Sequence, residues 1–293
     1  MKNGPVKLVL LLLVVTVTLG GWLGCRQTPT APVATTPVTA PAPSSPESSM
    51  YAKELTVFAA AGTKPAIDKA AELFQQKYGT KVTVNYGGGG EVLSSMIIAK
   101  QGDVYIAPEQ RFMARAKEQG AIGADVVPTT VAYMIPVIGV PKGNPQNIRS
   151  LADLARPGIK VVMGNPETTA LGLLVPEMLK KAGLYTEVQP NIVTNVPQVT
   201  AMVTMLKMGQ VDAGVIWHYF GVTSASDVDI IWIPPECMTG IGEIQAAVST
   251  YSQEAVTAQK FLDMLVAPEG KEIFRKYGYI VDRDEANKYW RAQ

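Results

Sequence analysis

From residue 54 onward, stretches of strand period and stretches of helix period alternate, and glycine, proline or a capping residue marks each change. "ELTVFAA" (54–60) is β-prone. Thr63 and Pro65 then open a helix in which Ile67, Ala70, Ala71 and Phe74 share one face, and Gly79 closes it. "KVTVNY" (81–86) passes through four glycines into "EVLSSMIIAKQG", and "DVYIA" (103–107) passes into "EQRFMARAKEQG". Three strand–helix units in succession predict a parallel α/β sheet, because parallel neighbours need a crossover and a helix is the usual one.

A second set follows "VAYMIPVIGVPKGNP" (131–145), a long strand-like run. "LADLARPG" reads as a short helix, "KVVMGNP" (160–166) as a strand and "LGLLVPEMLKKAGL" as a helix. A helix through Val199, Met202, Val203 and Leu206 precedes the buried strand "VDAGVIW" (211–217), after which come "DIIWIPP" and "IGEIQAAVST" (241–250). Two α/β sets and two long runs, near 131–140 and 241–250, predict two lobes joined by a pair of crossover strands. Lobe 1 would hold residues 51–133 and 245–293, and lobe 2 residues 134–244. The helix carrying Ala258, Phe261, Leu262 and Leu265 would return to lobe 1.

The segment before this fold has a different composition. Lys2 and Lys7 precede an apolar run from Leu8 to Leu19, too short to span a bilayer comfortably but suited to a secretory signal. It ends in "GWLGC", so residues 1–25 read as a lipoprotein-type signal peptide with Cys25 as the lipidated residue; the alternative is an ordinary cleaved signal with Cys25 incidental. Residues 26–50, almost all Pro, Thr, Ala, Ser and Val, cannot bury a core and read as a tether. Export and attachment to the outer face of the cytoplasmic membrane, or a periplasmic location, follow as the expectation. The net charge of +1 gives no electrostatic reason to expect nucleic acid, and two cysteines exclude a disulfide framework.

Ligands of open α/β sheets sit beyond the carboxyl ends of the strands. The turns "AAAGTK", "YGGGGE" and "IAPEQ" of the first set meet that description, as do "GNPETTALG" and Pro197–Gln198–Val199 of the second. Helix N-termini carry unpaired N–H groups and bind anions without a basic side chain. Gly87 to Gly90 therefore read as a backbone-lined cradle for an anion or polar ligand, with Gly89 expected at positive φ; a plain turn is the alternative.

"LTVFAAAGTKPAIDKAAELFQQKYGTKVTVNYGGGGEVLSSM", "GDVYIAPEQRFM", "GQVDAGVIW" and "AQKFLDMLVAPEGKEIFRKYGY" resemble the molybdate-binding periplasmic proteins of ABC importers, in order across residues 54–279. The resemblance implies a two-lobed type II periplasmic-binding-protein fold that closes on a small oxyanion, molybdate or tungstate. It also implies a monomer without cofactor, partnered by an ABC permease and its ATPase. Residues implied or read as ligand-binding are Gly62, Thr63, Gly89, Gly90, Ala107, Thr168, Thr169, Gln198, Val199, Trp217 and His218. The sequence also departs from the family pattern. Gly62 and Gly89 stand where the family has serines, Pro108 where it offers an amide N–H, and Trp217 where it has tyrosine, so an organic anion or other polar metabolite is a second expectation.

Several side chains have two readings. Thr168 and Thr169 supply hydroxyls to a ligand or cap a helix. Glu91 repels an anion or favours its helix dipole. Trp217 and Tyr219 stack on a ligand or line the core. His218, the only histidine, touches ligand or is structural; with Cys237 and Met238 it offers a soft metal site, or an exported enzyme's chemistry, as a third expectation. Neither "GxSxG", "GxxxxGK[ST]" nor "HExxH" occurs, and no catalytic residue is assigned.

Overall fold

The computed structural model describes residues 50–290; the expected signal peptide, the expected tether to residue 49 and Cys25 lie outside the described residues. The first sheet takes β1 (Glu54–Ala60), β2 (Lys81–Gly87) and β3 (Val104–Ala107), with α1 (Lys64–Tyr78), α2 (Gly89–Ala99) and α3 (Gln110–Glu118) after them in turn. It is completed by β4 (Thr129–Met134). The second sheet holds β5 (Pro136–Pro141), β6 (Val161–Gly164), β7 (Ile192–Val196), β8 (Ala213–Trp217) and β9 (Val228–Trp232). Its helices are α4 (Leu171–Lys181), the single turn α5 (Tyr185–Val188), α6 (Val199–Lys207) and the single turn α7 (Phe220–Thr223). The chain then returns as β10 (Gly242–Val248) to the first sheet and ends in α8 (Ala255–Val266), α9 (Pro268–Lys276) and α10 (Arg283–Ala286).

The strand orders are β2-β1-β3-β10-β4 and β7-β6-β8-β5-β9. β1 pairs in parallel with β2 and β3, and β6 in parallel with β7 and β8, as strand–helix alternation dictates. β10 is antiparallel to both its neighbours, and so is β5, because each is entered from the other lobe rather than through a helix on the same sheet. Central β3 and β5 are buried almost throughout, while edge strand β2 alternates between exposed and half-buried residues. In α1 the face Ile67, Ala70, Ala71 and Phe74 is buried, and Phe74 meets Phe261 of α8 edge-on, with ring centroids 5.2 Å apart. α8 thus returns to the first lobe.

The crossings differ from the expected pair of long strands. The run at 131–140 is two strands broken at Ile135, one in each sheet, and β10 lies wholly in the first sheet, so the return crossing is made by residues 233–241. At the break, the ring of His218 accepts the Ile135 N–H on Nδ1 at 3.0 Å, and the backbone N–H of His218 donates to the Ile135 carbonyl at 2.9 Å. An interrupted strand leaves backbone polar groups without ladder partners, and His218 satisfies both of those at Ile135.

Candidate functional site

The carboxyl ends of β1, β2, β6, β7 and β8 meet at one cavity of about 70 Å³ between the sheets. At 10–15 Å³ per water-sized sphere this holds roughly five to seven, room for a small solute rather than a large metabolite. Its wall includes Ala60, Gly62, Thr63, Gly87, Gly88 and Gly89 from the first lobe, with Glu109 and Met134. Thr168, Thr169, Pro197, Gln198, Val199, Thr200, Trp217 and Tyr219 complete it. No lysine or arginine lies on it.

Three helices of nine residues or more, α1, α2 and α6, begin at this wall. The first amides of a helix have no intrahelical acceptor, so the cavity faces several N–H donors and three positive dipole ends. The glycine turn works differently from the expected left-handed nest. None of Gly87 to Gly90 has a positive φ. Gly87 ends β2, Gly88 is the N-cap of α2, and its N–H donates to Glu91 Oε2 at 3.1 Å, which gives Glu91 a capping role. Glycine is required at 89 by contact: a Cβ there would lie 2.8 Å from both the Pro108 ring and the Phe112 ring. Gly88 faces Gln198 of the second lobe, 3.7 Å from where a Cβ would be.

These contacts explain the departures from the family pattern as coupled pairs. A side chain at position 62 would begin 2.5 Å from the Tyr219 hydroxyl, so that hydroxyl stands where a serine at 62 would be. Tyr219 stacks on Tyr279, whose own hydroxyl donates to the Gly62 carbonyl at 2.5 Å. At 89 a serine is excluded by Pro108, the same residue that removes an amide from the third turn. Three of the four departures, at 62, 89 and 108, are thus two packing exchanges; Trp217 is not part of either.

The paired threonines separate. Thr169 Oγ1 donates to the Asn165 carbonyl at 2.9 Å and accepts the Gly172 N–H at 3.0 Å, so it is spent on tying the turn to the start of α4. Thr168 Oγ1 is buried at the cavity without a protein partner. A buried hydroxyl is rarely left in that state unless something else binds it. Thr63 stands at the N-cap position of α1 as expected, but its side chain makes no capping bond: the hydroxyl donates to the Ala60 carbonyl at 2.8 Å and ties the turn before α1.

Among the residues singled out from sequence, Gly62, Thr63, Gly89, Thr168, Thr169, Gln198, Val199 and Trp217 line the cavity. Gly90, Ala107 and His218 do not. A Cβ on Gly90 would meet only Phe112 and Arg115 on the far side of the turn, Ala107 is buried within β3, and the His218 ring turns toward Trp232, Gly278 and Tyr289 behind the cleft. Burial lowers the His218 pKa to about 4, so the ring is neutral. Among the described residues no group of three or more His, Cys, Asp or Glu is placed to hold a metal ion, and Cys237 is a half-buried free thiol on a short turn. Glu109 was missed. Its only signal in the sequence was its place after "IAP" at a strand end, where a single acid is commonplace.

Two α/β lobes hinged beside a cavity into which helix N-termini point define an extracytoplasmic solute-binding protein of the ABC-importer type. The chain belongs to the bacterial extracellular solute-binding protein family, which it matches over residues 55–280. It is 27% identical over 230 residues to the molybdate-binding protein ModA of Mycobacterium tuberculosis, an alignment covering 78% of this chain and 85% of that one. Among solved structures, the periplasmic molybdate-binding protein of Azotobacter vinelandii superposes with a TM-score of 0.68 at 19% identity, covering 78% of this chain and 100% of that one. PEB3 of Campylobacter jejuni, solved with L-phospholactate, superposes with a TM-score of 0.67 at 22% identity, covering 77% and 99%. The resemblance to molybdate-binding periplasmic proteins is thereby borne out. Proteins of this family bind a small solute and meet an ABC permease; they are binding and transport proteins rather than enzymes.

Proposed function

We propose that the cleft binds a small tetrahedral oxyanion, molybdate or tungstate in the first instance, and delivers it to an ABC permease after hinge closure about Ile135 and residues 233–241. The carrying observation is the unpartnered Thr168 hydroxyl on a cation-free cavity of about 70 Å³ at which three helices begin. Backbone amides of the first turns of α1, α2 and α6, with Thr168, would replace the ion's hydration; Gln198, its amide approached by the Thr200 hydroxyl at 3.4 Å, would add a donor from the second lobe. Trp217, Met134 and Tyr219 would exclude water. The lobe bounds expected from sequence, 51–133 with 245–293 and 134–244, would shift so that Met134 and residues 242–244 join lobe 1 with β4 and β10, and lipid on Cys25 would hold a monomer outside the membrane.

Titration calorimetry of the purified protein with molybdate tests this. Saturable one-to-one binding is expected; absence of heat, together with no rise in melting temperature at millimolar anion, would exclude it. A second reading, an organic phosphate or carboxylate, draws on a neighbouring cavity of about 240 Å³ lined by Leu173, Leu174 and Ile241, which shares Glu109 with the first. PEB3 was solved with such a ligand. Tighter binding of L-phospholactate than of molybdate in the same titration would select it.

A further inference from the structure

Glu109 is the one charged side chain on the cavity wall, and it is 5% exposed. Its Oε1 accepts the Ala170 N–H of the second lobe at 3.1 Å and its Oε2 accepts Arg111 Nε at 3.3 Å. A carboxylate has about four lone-pair positions, so two remain. Arg111 pairs with Glu109 from outside the cavity wall: its guanidinium lies on the neighbouring pocket, where it also donates to the Pro166 carbonyl at 3.0 Å. No other cation offsets Glu109 from the cavity side. Tyr105 of β3 is a neutral phenol whose pKa is raised by burial and by Glu109, Glu167 of the facing turn is exposed, and the α4 side contributes Leu173 and Leu174.

An ionised carboxylate only accepts hydrogen bonds, and molybdate, tungstate and sulfate at neutral pH also only accept. Brought together in a water-poor cleft with no cation on its wall, they repel and have no hydrogen to share. One proton between them removes both penalties. Resting on the oxyanion reading above, we propose that Glu109 is the specificity-determining residue of the cleft and that it admits an oxyanion only together with one proton. A ligand that brings its own proton, such as hydrogen phosphate or a singly protonated phosphomonoester, pairs with ionised Glu109. A fully deprotonated ligand such as molybdate enters only when Glu109 is itself protonated and donates. Burial, outweighing the nearby Arg111, pushes the Glu109 carboxyl up to about 7, so both forms are populated near neutrality.

The test is calorimetric titration of the purified protein and of Glu109→Gln with sodium molybdate and with inorganic phosphate from pH 6 to 8.5. Glutamine keeps an oxygen for the Ala170 N–H, and a thermal melt without ligand verifies its fold. Molybdate affinity is expected to fall about tenfold per pH unit above 7 in the parent and to stay level in Glu109→Gln. Above pH 7.5, where inorganic phosphate is already mostly hydrogen phosphate, the phosphate-to-molybdate affinity ratio should rise with pH in the parent and stay level in Glu109→Gln. Repeating the parent titration at pH 8 in two buffers of different ionisation enthalpy should show close to one proton taken up per molybdate and close to none per phosphate; this needs no variant. Saturable molybdate binding that is level with pH in the parent, or equally steep in Glu109→Gln, overturns the role of Glu109 and leaves the oxyanion reading standing. Failure of both anions to bind either protein at any pH overturns the oxyanion reading and the inference with it.

Discussion

The turns at 87–90 and 165–170 line the same cavity with different resources. In the glycine turn side chains are absent, and the leading amides of α2 stay available because no neighbouring group except Glu91 takes one. In the second turn the backbone is already engaged. The N–H groups of Glu167, Thr168 and Thr169 donate to Asn165, and that of Ala170 to Glu109. What the second turn offers a ligand is therefore one side-chain hydroxyl, that of Thr168. Of these two turns, one would bind through backbone and the other through a side chain, so the same kind of substitution should have unlike effects on the two.

The largest effect is expected at Gly62. Any side chain there displaces the Tyr219 hydroxyl, so Gly62→Val should lower oxyanion affinity by more than about a hundredfold, roughly 3 kcal/mol, as read by calorimetry. Gly62→Ser combined with Tyr219→Phe should recover part of what Gly62→Ser loses alone; strict additivity in that cycle would show that the two positions do not exchange a hydroxyl. At Gly89 the damage should reach the fold. Valine there overpacks against Pro108 and Phe112, costing about 1–3 kcal/mol of stability in denaturant melts. A Gly89→Val protein with unchanged stability would refute the close packing at this position.

Protonation is expected to act in opposite directions on the cleft and on the hinge. The folded pKa of His218 is depressed from 6.5 to about 4, so the unfolded chain binds the extra proton first, and stability is lost as pH falls from about 6.5 toward 4. Glu109 is raised from 4.5 to about 7, so its contribution is complete at low pH and is lost as pH rises through that window. The two nearly cancel in the parent. In His218→Asn, whose side-chain oxygen still accepts the Ile135 N–H, stability should rise by on the order of 2 kcal/mol between pH 7 and 4.5. A flat urea-midpoint profile in that variant would refute the assignment. The smallest effect contrasts the threonines. Thr168→Val should weaken the ligand by about 1 kcal/mol without shifting the melting temperature, and Thr169→Val should cost a similar amount of stability while affecting affinity less. A reversal of that pattern would exchange their roles.

The architecture was largely legible because its determinants are local. Period changes at 60–64, 87–89 and 107–110, the stop at Gly79 and the apolar face of α1 each rest on a few adjacent residues, and three such units require a parallel sheet. The turns facing the cleft followed from strand direction alone. Sequence also marked the departures from the family pattern, but as losses, because a missing serine is visible in a row of letters and the tyrosine that takes its place 157 positions later is not.

Sequence by itself determined the alternation, hence two α/β lobes and the helix N-termini that favour an anion. Tertiary structure decided which groups remain unpaired when the lobes meet. Thr168 is left without a partner while Thr169 is used, His218 is drawn to a strand break behind the cleft, and Glu109 is pressed from the end of β3 against the amide of Ala170. Hydrogen-bond satisfaction and desolvation depend on which atoms occupy the last few ångströms around a group. For Glu109 and His218 those atoms come from chain segments 61 and 83 residues away, where no local pattern reaches.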